Sequence, residues 1–252
     1  MKTFLFLSMF ICAILVNAQQ NQEQTTYNAA RGWVKSDRSL SKEQRQIGTF
    51  DAVVVGGPFE VKLIAGKEGT ITLNGTSKQL DMIETKVIDN TLKIAYKNKA
   101  KLRNTYNKTV RITLPVSEID GVTLSGSGNI TSEFSLKSKS FEAKLSGSGN
   151  LNLQIESDDV EAKLSGSGKL KLQGRTENLE MGLAGSGHLE AKGLISTSVS
   201  AKLSGSGRVT TCAISSLNAQ VSGSGTVKYC DQDGGLKVQS NVIGSGKVVS
   251  AF

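Results

Sequence analysis

The phrase Gly-Ser-Gly occurs seven times, at 126–128, 147–149, 166–168, 185–187, 205–207, 223–225 and 244–246. Its starts are separated by 21, 19, 19, 20, 18 and 21 residues. A glycine-bounded tripeptide at so regular a period specifies one supersecondary unit copied many times, and such units stack into solenoids or arrays.

Aligning the copies on the first glycine shows what each position does. Six, four and two residues before it stand Phe141, Ala143 and Leu145, then Val160, Ala162 and Leu164, and later Val199, Ala201 and Leu203. Apolar or small side chains at every second position mark a strand with one buried face. Glu142, Lys144, Glu161, Lys163, Lys202, Asn218 and Gln220 fall between them and face solvent. A second strand follows the phrase, with Ile130, Leu151, Leu170, Leu189, Val209, Val227 and Val248 inward. Asn129, Asn150, Lys169, His188, Arg208, Thr226 and Lys247 point outward beside them.

Each repeat therefore reads as strand, corner, strand and a short polar return. Glycine suits the corner because a sharp turn demands backbone angles that are costly for a residue with a Cβ. A phosphate-binding loop is a poor alternative, since no helix follows the phrase and the period is fixed. The period is also too short for a propeller blade of about 40–45 residues. It fits one coil of a β-helix, whose neighbouring coils lie about 4.8 Å apart. The expected fold is all-β: a single-chain parallel β-helix, right-handed, with about 19–20 residues per coil.

Four segments follow. Residues 1–18 combine Lys2, an apolar run from Phe4 to Val16 and a small residue at Ala18, the pattern of a secretory signal peptide. Residues 19–46 are polar with little periodicity and read as a flexible leader, with Trp33 the only tryptophan. Residues 47–115 read as an irregular β part and 116–252 as the regular coils. In the irregular part Phe50, Ala52 and Val54 are expected to point inward before a Gly56-Gly57 corner, with Phe59, Val61 and Leu63 returning. Further strands are expected at 70–73, 82–87, 91–96 and 109–114, and no segment keeps a helical period over three turns.

The chemistry is narrower than the length of 252 residues allows. His188 is the only histidine, so a multi-histidine zinc site within one chain is excluded and a histidine triad would rest on that residue alone. The residue after each corner is never Asp, which argues against the calcium ladders of glycine-rich β-rolls. Glu142, Glu161 and Glu180 fall at one outward position of adjacent coils and could act on a polysaccharide as acid and base. Lys144 and Lys163 stand two residues along the same face, and mutual neutralisation is the simpler account. No catalytic residue, cofactor or metal is therefore expected.

Binding is the better prospect. The net charge is +8, and the segment from Tyr96 through Lys97, Lys99, Lys101, Arg103, Tyr106 and Lys108 to Arg111 holds no acid. Cations interleaved with aromatic rings suit an anionic polysaccharide or a cell-surface component, whereas a solvated hairpin end is the plainer alternative. No nucleic-acid-reading motif is present, and no apolar run after residue 18 is long enough to span a bilayer as a helix. Cys212 and Cys230 each follow their corner by five residues. They share a place in adjacent coils, and a strand spacing of about 4.8 Å lies within the Cα window of a disulfide. A bridge is expected in an exported chain, two stacked buried thiols being the alternative.

The opening Phe50-Asp51-Ala52-Val53, the repeated Gly-Ser-Gly-Asn-Ile at 126–130 and Gly-Ser-Gly-Asn-Leu at 147–151 resemble the head GIN domain family of "putative auto-transporter adhesins". The resemblance covers about residues 47 to 250. It implies a β-helical exported protein with a part in adhesion, located in the periplasm, at the cell surface or outside the cell, and it supplies no catalytic residues. The Asn drifts to Lys169, His188, Arg208, Thr226 and Lys247 in later coils, which weakens any function tied to it. The expected function is surface or polysaccharide binding without catalysis. A polysaccharide-active enzyme using the outer carboxylates and a structural envelope component are the alternatives.

Overall fold

The computed structural model describes residues 40–97, 109–231 and 234–251. Residues 1–39, with the expected signal peptide and Trp33, lie outside the described residues.

The chain is a parallel β-solenoid of about six turns with a less regular N-terminal part. That part holds β1 (Leu40–Gln46), β2 (Ala52–Gly56), β3 (Glu60–Ala65), β4 (Thr70–Thr76), a short helix α1 (Ser77–Asp81), β5 (Ile83–Ile88), β6 (Thr91–Tyr96), β7 (Arg111–Val116) and β8 (Gly121–Gly126). Five long strands then run from one corner to the next: β9 (Asn129–Gly147), β10 (Asn150–Gly166), β11 (Lys169–Gly185), β12 (His188–Gly205) and β13 (Arg208–Gly223). The last coil comprises β14 (Thr226–Asp231), β15 (Lys237–Ile243) and β16 (Lys247–Ser250).

Successive long strands pair in parallel with the corners in register, Gly147 on Gly166 and Gly166 on Gly185. The inward columns are those of the alignment: Ile130, Leu151, Leu170, Leu189, Val209 and Val227 are all buried, as are Phe141, Val160, Leu179, Val199 and Leu217. Small Ala143, Ala162, Ala201 and Ala219 sit buried in the column between larger side chains, so opposite walls of the coil can approach closely.

The two corner glycines are needed for different reasons. The first takes a positive φ, +119° at Gly166, and a Cβ there would also stand 2.5 Å from the carbonyl oxygen of Gly147. The second is not in that region, yet a Cβ on Gly168 would meet Gly149 O at 2.5 Å and Leu145 Cδ2 at 2.9 Å. Close stacking of coils, more than backbone freedom, fixes the second glycine. The hydrogen bonds explain the closeness: Gly147 O accepts from the N–H of Ser167 at 3.1 Å and of Gly168 at 3.0 Å.

The polar return is not a loop. It stays in the strand and makes a second corner from a hydroxyl. Ser138, Ser157, Thr176 and Ser196 stack in register and each stands nine residues before the next Gly-Ser-Gly. Ser157 Oγ donates to Asp159 O at 3.0 Å, and Thr176 Oγ1 lies 2.9 Å from Asp158 O and 3.0 Å from Asn178 O. The bond satisfies a hydroxyl that is nearly buried and a corner carbonyl together. Through β11 that half of the coil is constant and the varying period falls in the other half, as register shifts between Asn152 and Gln154 and between Lys171 and Gln173; between β12 and β13 the shifts run from Ala191 to Ser198 and include the hydroxyl corner.

The N-terminal part departs from expectation in four ways. Its strands do not stack in chain order: β2 pairs with β6 on one side and β8 on the other, and β3 lies between β7 and β9. The first coil, β2 and β3, is thus inserted between two that follow it in sequence. In β2 the inward residues are Val53 and Val55, with Ala52 and Val54 half-exposed, because the register to Val122 and Leu124 of β8 sets the phase. The end of the expected leader is ordered as β1, antiparallel to β4, where Arg45 donates to Leu80 O and Ile83 O, both at 2.8 Å. Lastly, α1 is a turn and a half set by a capping box between Thr76 and Gln79, too short to carry a helical period.

Candidate functional site

The expected basic site is only partly within the described residues. Lys99, Lys101, Arg103, Tyr106 and Lys108 lie outside them. Tyr96 stacks on Phe59 with ring centroids 4.7 Å apart, Lys97 Nζ donates to Asp81 O at 2.7 Å, and Arg111 Nε donates to Glu60 at 2.9 Å. These three anchor the base of the segment. β6, which ends at Tyr96, pairs with β2, and β7, which begins at Arg111, pairs with β3.

The outward faces of the coils carry a better-formed feature. Along the strand before each corner, the residues five, three and one before the first glycine form three ladders. Glu142, Glu161 and Glu180 stack in register in the first. In the second, Lys144 pairs with Glu142 and Lys163 with Glu161 in their own strands. The ladder then breaks, because β11 has Gly182 where a lysine would stand and Ala184 where its neighbours have Ser165 and Ser204. Glu180, left without a partner in its strand, takes Lys202 of the next coil at 3.3 Å.

The break leaves a notch. A groove of about 610 Å³, lined mostly by apolar atoms, runs from Thr123 to Ile243 past Lys163, Gly182, Ala184 and Lys202. Six coil steps of roughly 4.8 Å make it about 29 Å long. Its walls are lysine stems, leucines and small side chains, with ammonium groups along the rim. A smaller groove of about 340 Å³ follows the hydroxyl corner and mixes charges, with Arg175 among Glu156, Asp158 and Glu177.

Two outward carboxylates are held ionised by lysines. The hydrogen bond from Lys163 keeps Glu161 below the usual carboxylate value, desolvation opposing it, and Lys169 does the same to Glu190. Glu161 in turn raises Lys163. Among the described residues, no cluster of three or more His, Cys, Asp or Glu is placed to hold a metal ion. His188 is exposed in the ladder between Lys169 and Arg208. Cys212 and Cys230 are opposite one another in β13 and β14 and joined by a disulfide, with Cα atoms 4.6 Å apart.

The repeated outer ladders on a glycine-cornered solenoid can be compared with known proteins. A sequence model of the family described as "putative auto-transporter adhesin, head GIN domain" matches residues 49–232. The chain belongs to that family. As a head GIN domain it has solved structural neighbours of the same fold. A "putative adhesin" from Bacteroides fragilis is 24% identical with a TM-score of 0.73, over 84% of this chain and 97% of the other. A "putative lipid binding protein" from Parabacteroides distasonis is 20% identical with a TM-score of 0.69, over 85% and 97%. A "putative adhesin" from Parabacteroides merdae is 19% identical with a TM-score of 0.66, over 85% and 97%. No curated protein matches the chain. No helix among the described residues of this head GIN domain is long and apolar enough to cross a membrane.

Gly182 and Ala184 were the residues that reading the sequence for chemistry passed over. Their signal lay in the alignment, as a coil inside the stack where the Lys and Ser columns fail together, as they do again at Asn241 and Ile243 of the last coil.

Proposed function

We propose that this head GIN domain is an exported, non-enzymatic adhesin that holds an extended surface polysaccharide in the outer groove beside its glycine corners. The groove itself carries the reading. Its apolar walls suit the C–H faces of sugar rings, and Lys, Ser, Gln and Asn groups along it offer hydroxyls partners in the coils on either side of Gly182. A ligand site that repeats at a fixed step favours a ligand that also repeats. The net charge of +8 and the acid-free basic segment from Lys97 to Arg111 favour an acidic polymer. Residues 1–18 and the Cys212–Cys230 pair support export to an oxidising compartment. The lowered carboxyl of Glu161 does not suit a general acid, which needs its affinity for the proton raised.

The test is a polysaccharide array probed with the wild type, Gly182→Trp and Lys163→Glu, with Lys67→Glu as a charge control outside the groove. Binding is expected to fall at least tenfold in the two groove variants and to persist in the control. Retention in both would refute the groove. Loss only on neutralising Lys97, Lys99, Lys101, Arg103, Lys108 and Arg111 would move the site to the basic segment. Turnover of an acidic polysaccharide that Glu161→Gln abolishes would refute the non-enzymatic reading. The apolar walls favour a second occupant, an acyl chain with its head among the rim lysines, and the structural neighbour named as lipid-binding makes a fatty-acid arm worth including.

A further inference from the structure

The two ends of the solenoid are finished differently. At the N-terminal end β1 and β5 run antiparallel to their neighbours, α1 buries Leu80, and Arg45 ties β1 to the carbonyls of Leu80 and Ile83. At the other end, no described residue covers the last coil. There β15 pairs with β13 and β16 with β14, each on one side only. Val238 and Val242 continue columns in which Leu217 and Val221 are 1% and 2% exposed, yet they stand 37% and 39% exposed, and Ile243 beside them 66%.

The alternation of the sheet tells which backbone groups are unpaired there. In a parallel sheet, successive residues turn their N–H and C=O toward opposite neighbours. The N–H of Glu142, an outward residue five before its corner, donates to Asp120 O of the preceding coil at 2.8 Å. Outward residues before a corner thus bond backwards and inward ones forwards. In β15 the inward residues are Val238, Ser240 and Val242, which direct their N–H and C=O to the open end.

We infer that this end docks on the same end of a second copy, about a two-fold axis at Ser240. The sequence of β15 selects that occupant. From 238 to 242 it reads Val-Gln-Ser-Asn-Val, nearly the same in both directions. Laid antiparallel on itself about Ser240, Val238 faces the second copy's Val242, Gln239 its Asn241 and Lys237 its Ile243. Opposed residues of an antiparallel pair point to one face, so the valines add a layer to the core and the amides pair outside it. The Lys237 stem covers Ile243, and no lysine of β15 is set against a lysine. Every forward-facing backbone group of Val238, Ser240 and Val242 gains a partner. Because the opposite end is closed, the contact is isologous and ends at a dimer instead of growing into a fibre. One coil of contact is smaller than the roughly 1,200–2,000 Å² of a standard interface, so association depends on concentration.

Light scattering on the chain from Gln19 onward, over a concentration series, reads this directly. The mass is expected to rise to twice that of the monomer. Ser240→Pro and Val242→Lys are expected to hold it at the monomer with an unchanged circular dichroism spectrum, since the Ser240 N–H serves no bond within its own chain. Ser240→Cys is expected to give a disulfide-linked dimer on oxidation, a hydrogen-bonded antiparallel pair having Cα atoms about 5.5 Å apart. Gln239→Cys, opposite Asn241, is expected to give none. A wild type that stays monomeric, a filament, or cross-linking by Gln239→Cys in place of Ser240→Cys overturns the inference. So does a chain that dimerises only after residues 19–39 are removed, which would make the leader the occupant.

Discussion

Three glycines in adjacent coils are expected to respond in different directions to the same methyl group. Gly166 has φ +119° and would bring a Cβ to 2.5 Å from Gly147 O. Alanine there meets a strained backbone, costing about 1–3 kcal/mol, and an overpacked contact costing about another 1–3 kcal/mol. Gly168 carries only the contact, at 2.5 Å from Gly149 O, so Gly168→Ala is expected to cost about 1–3 kcal/mol. Gly182 lies in an extended strand with Lys163 Cγ, 3.7 Å away, as the nearest atom to its Cβ position. Alanine fits there without strain and restricts the unfolded chain, so Gly182→Ala is expected to stabilise by about 0.4–1 kcal/mol. At about 2–4 °C per kcal/mol for a domain of this size, thermal melts should show a rise of roughly 1–4 °C for Gly182→Ala against a fall of at least about 4 °C for Gly166→Ala. Gly168→Ala should fall between Gly166→Ala and the wild type. Equal losses at Gly166 and Gly168 would show that backbone angle contributes nothing at the corner. A neutral Gly168→Ala would refute close stacking as the reason for the second glycine, and a destabilised Gly182→Ala would mean that the notch is not open.

Other consequences concern the core, the bridge and the ion pairs. Thr211 is fully buried and its hydroxyl has no hydrogen-bond partner among the described residues, so Thr211→Val should stabilise by about 1 kcal/mol, read as a higher urea midpoint; a loss would mean the hydroxyl is satisfied in solution. The Cys212–Cys230 bridge spans 18 residues and should contribute about 3 kcal/mol, read as the drop in the denaturation midpoint on reduction. Intact mass that does not rise by two protons on reduction would exclude the bridge. Glu161 and Glu190 hold folded-state proton affinities below the ordinary carboxylate value of 4.5, through Lys163 and Lys169. The folded state then binds fewer protons than the unfolded one, so their contribution is complete above about pH 5 and lost as the pH falls through their lowered values. Stability profiles of wild type and Glu161→Gln should run parallel above that point and converge below it; profiles that converge on the alkaline side would contradict the assignment.

The regular coils were legible because stacking repeats every demand. Leu145, Leu164, Leu183 and Leu203 meet the same environment in turn, so a single alignment exposes the column and its burial. The hydroxyl corner was missed for a chemical reason. Ser157 and Thr176 are polar in sequence and nearly buried in the fold, and only their hydrogen bonds to Asp159 and Asn178 carbonyls reconcile the two. Val53 and Val55 were misphased because β2 is apolar on both faces, and only the register with β8 decides which face is inside. The insertion of β2 and β3 between later strands left no local signal, since pairing between coils distant in sequence is set by edges and lengths.

The same logic bears on function. An inward side chain or a corner glycine answers to the coil above and the coil below, so its identity reports the fold. An outward side chain answers only to charge balance along its ladder, which Lys144 with Glu142 and Lys163 with Glu161 already satisfy. Under the proposed function, a departure from an outward ladder is where a ligand would leave its mark. Gly182 is such a departure: it removes a lysine, forces Glu180 across to Lys202, accepts the entropic penalty of glycine in a strand, and opens the middle of the groove. If Gly182→Lys, which restores the ladder, stabilised the protein while leaving polysaccharide binding unchanged, the notch would have no role. Stabilisation accompanied by loss of binding is the outcome expected of a site that trades stability for an opening.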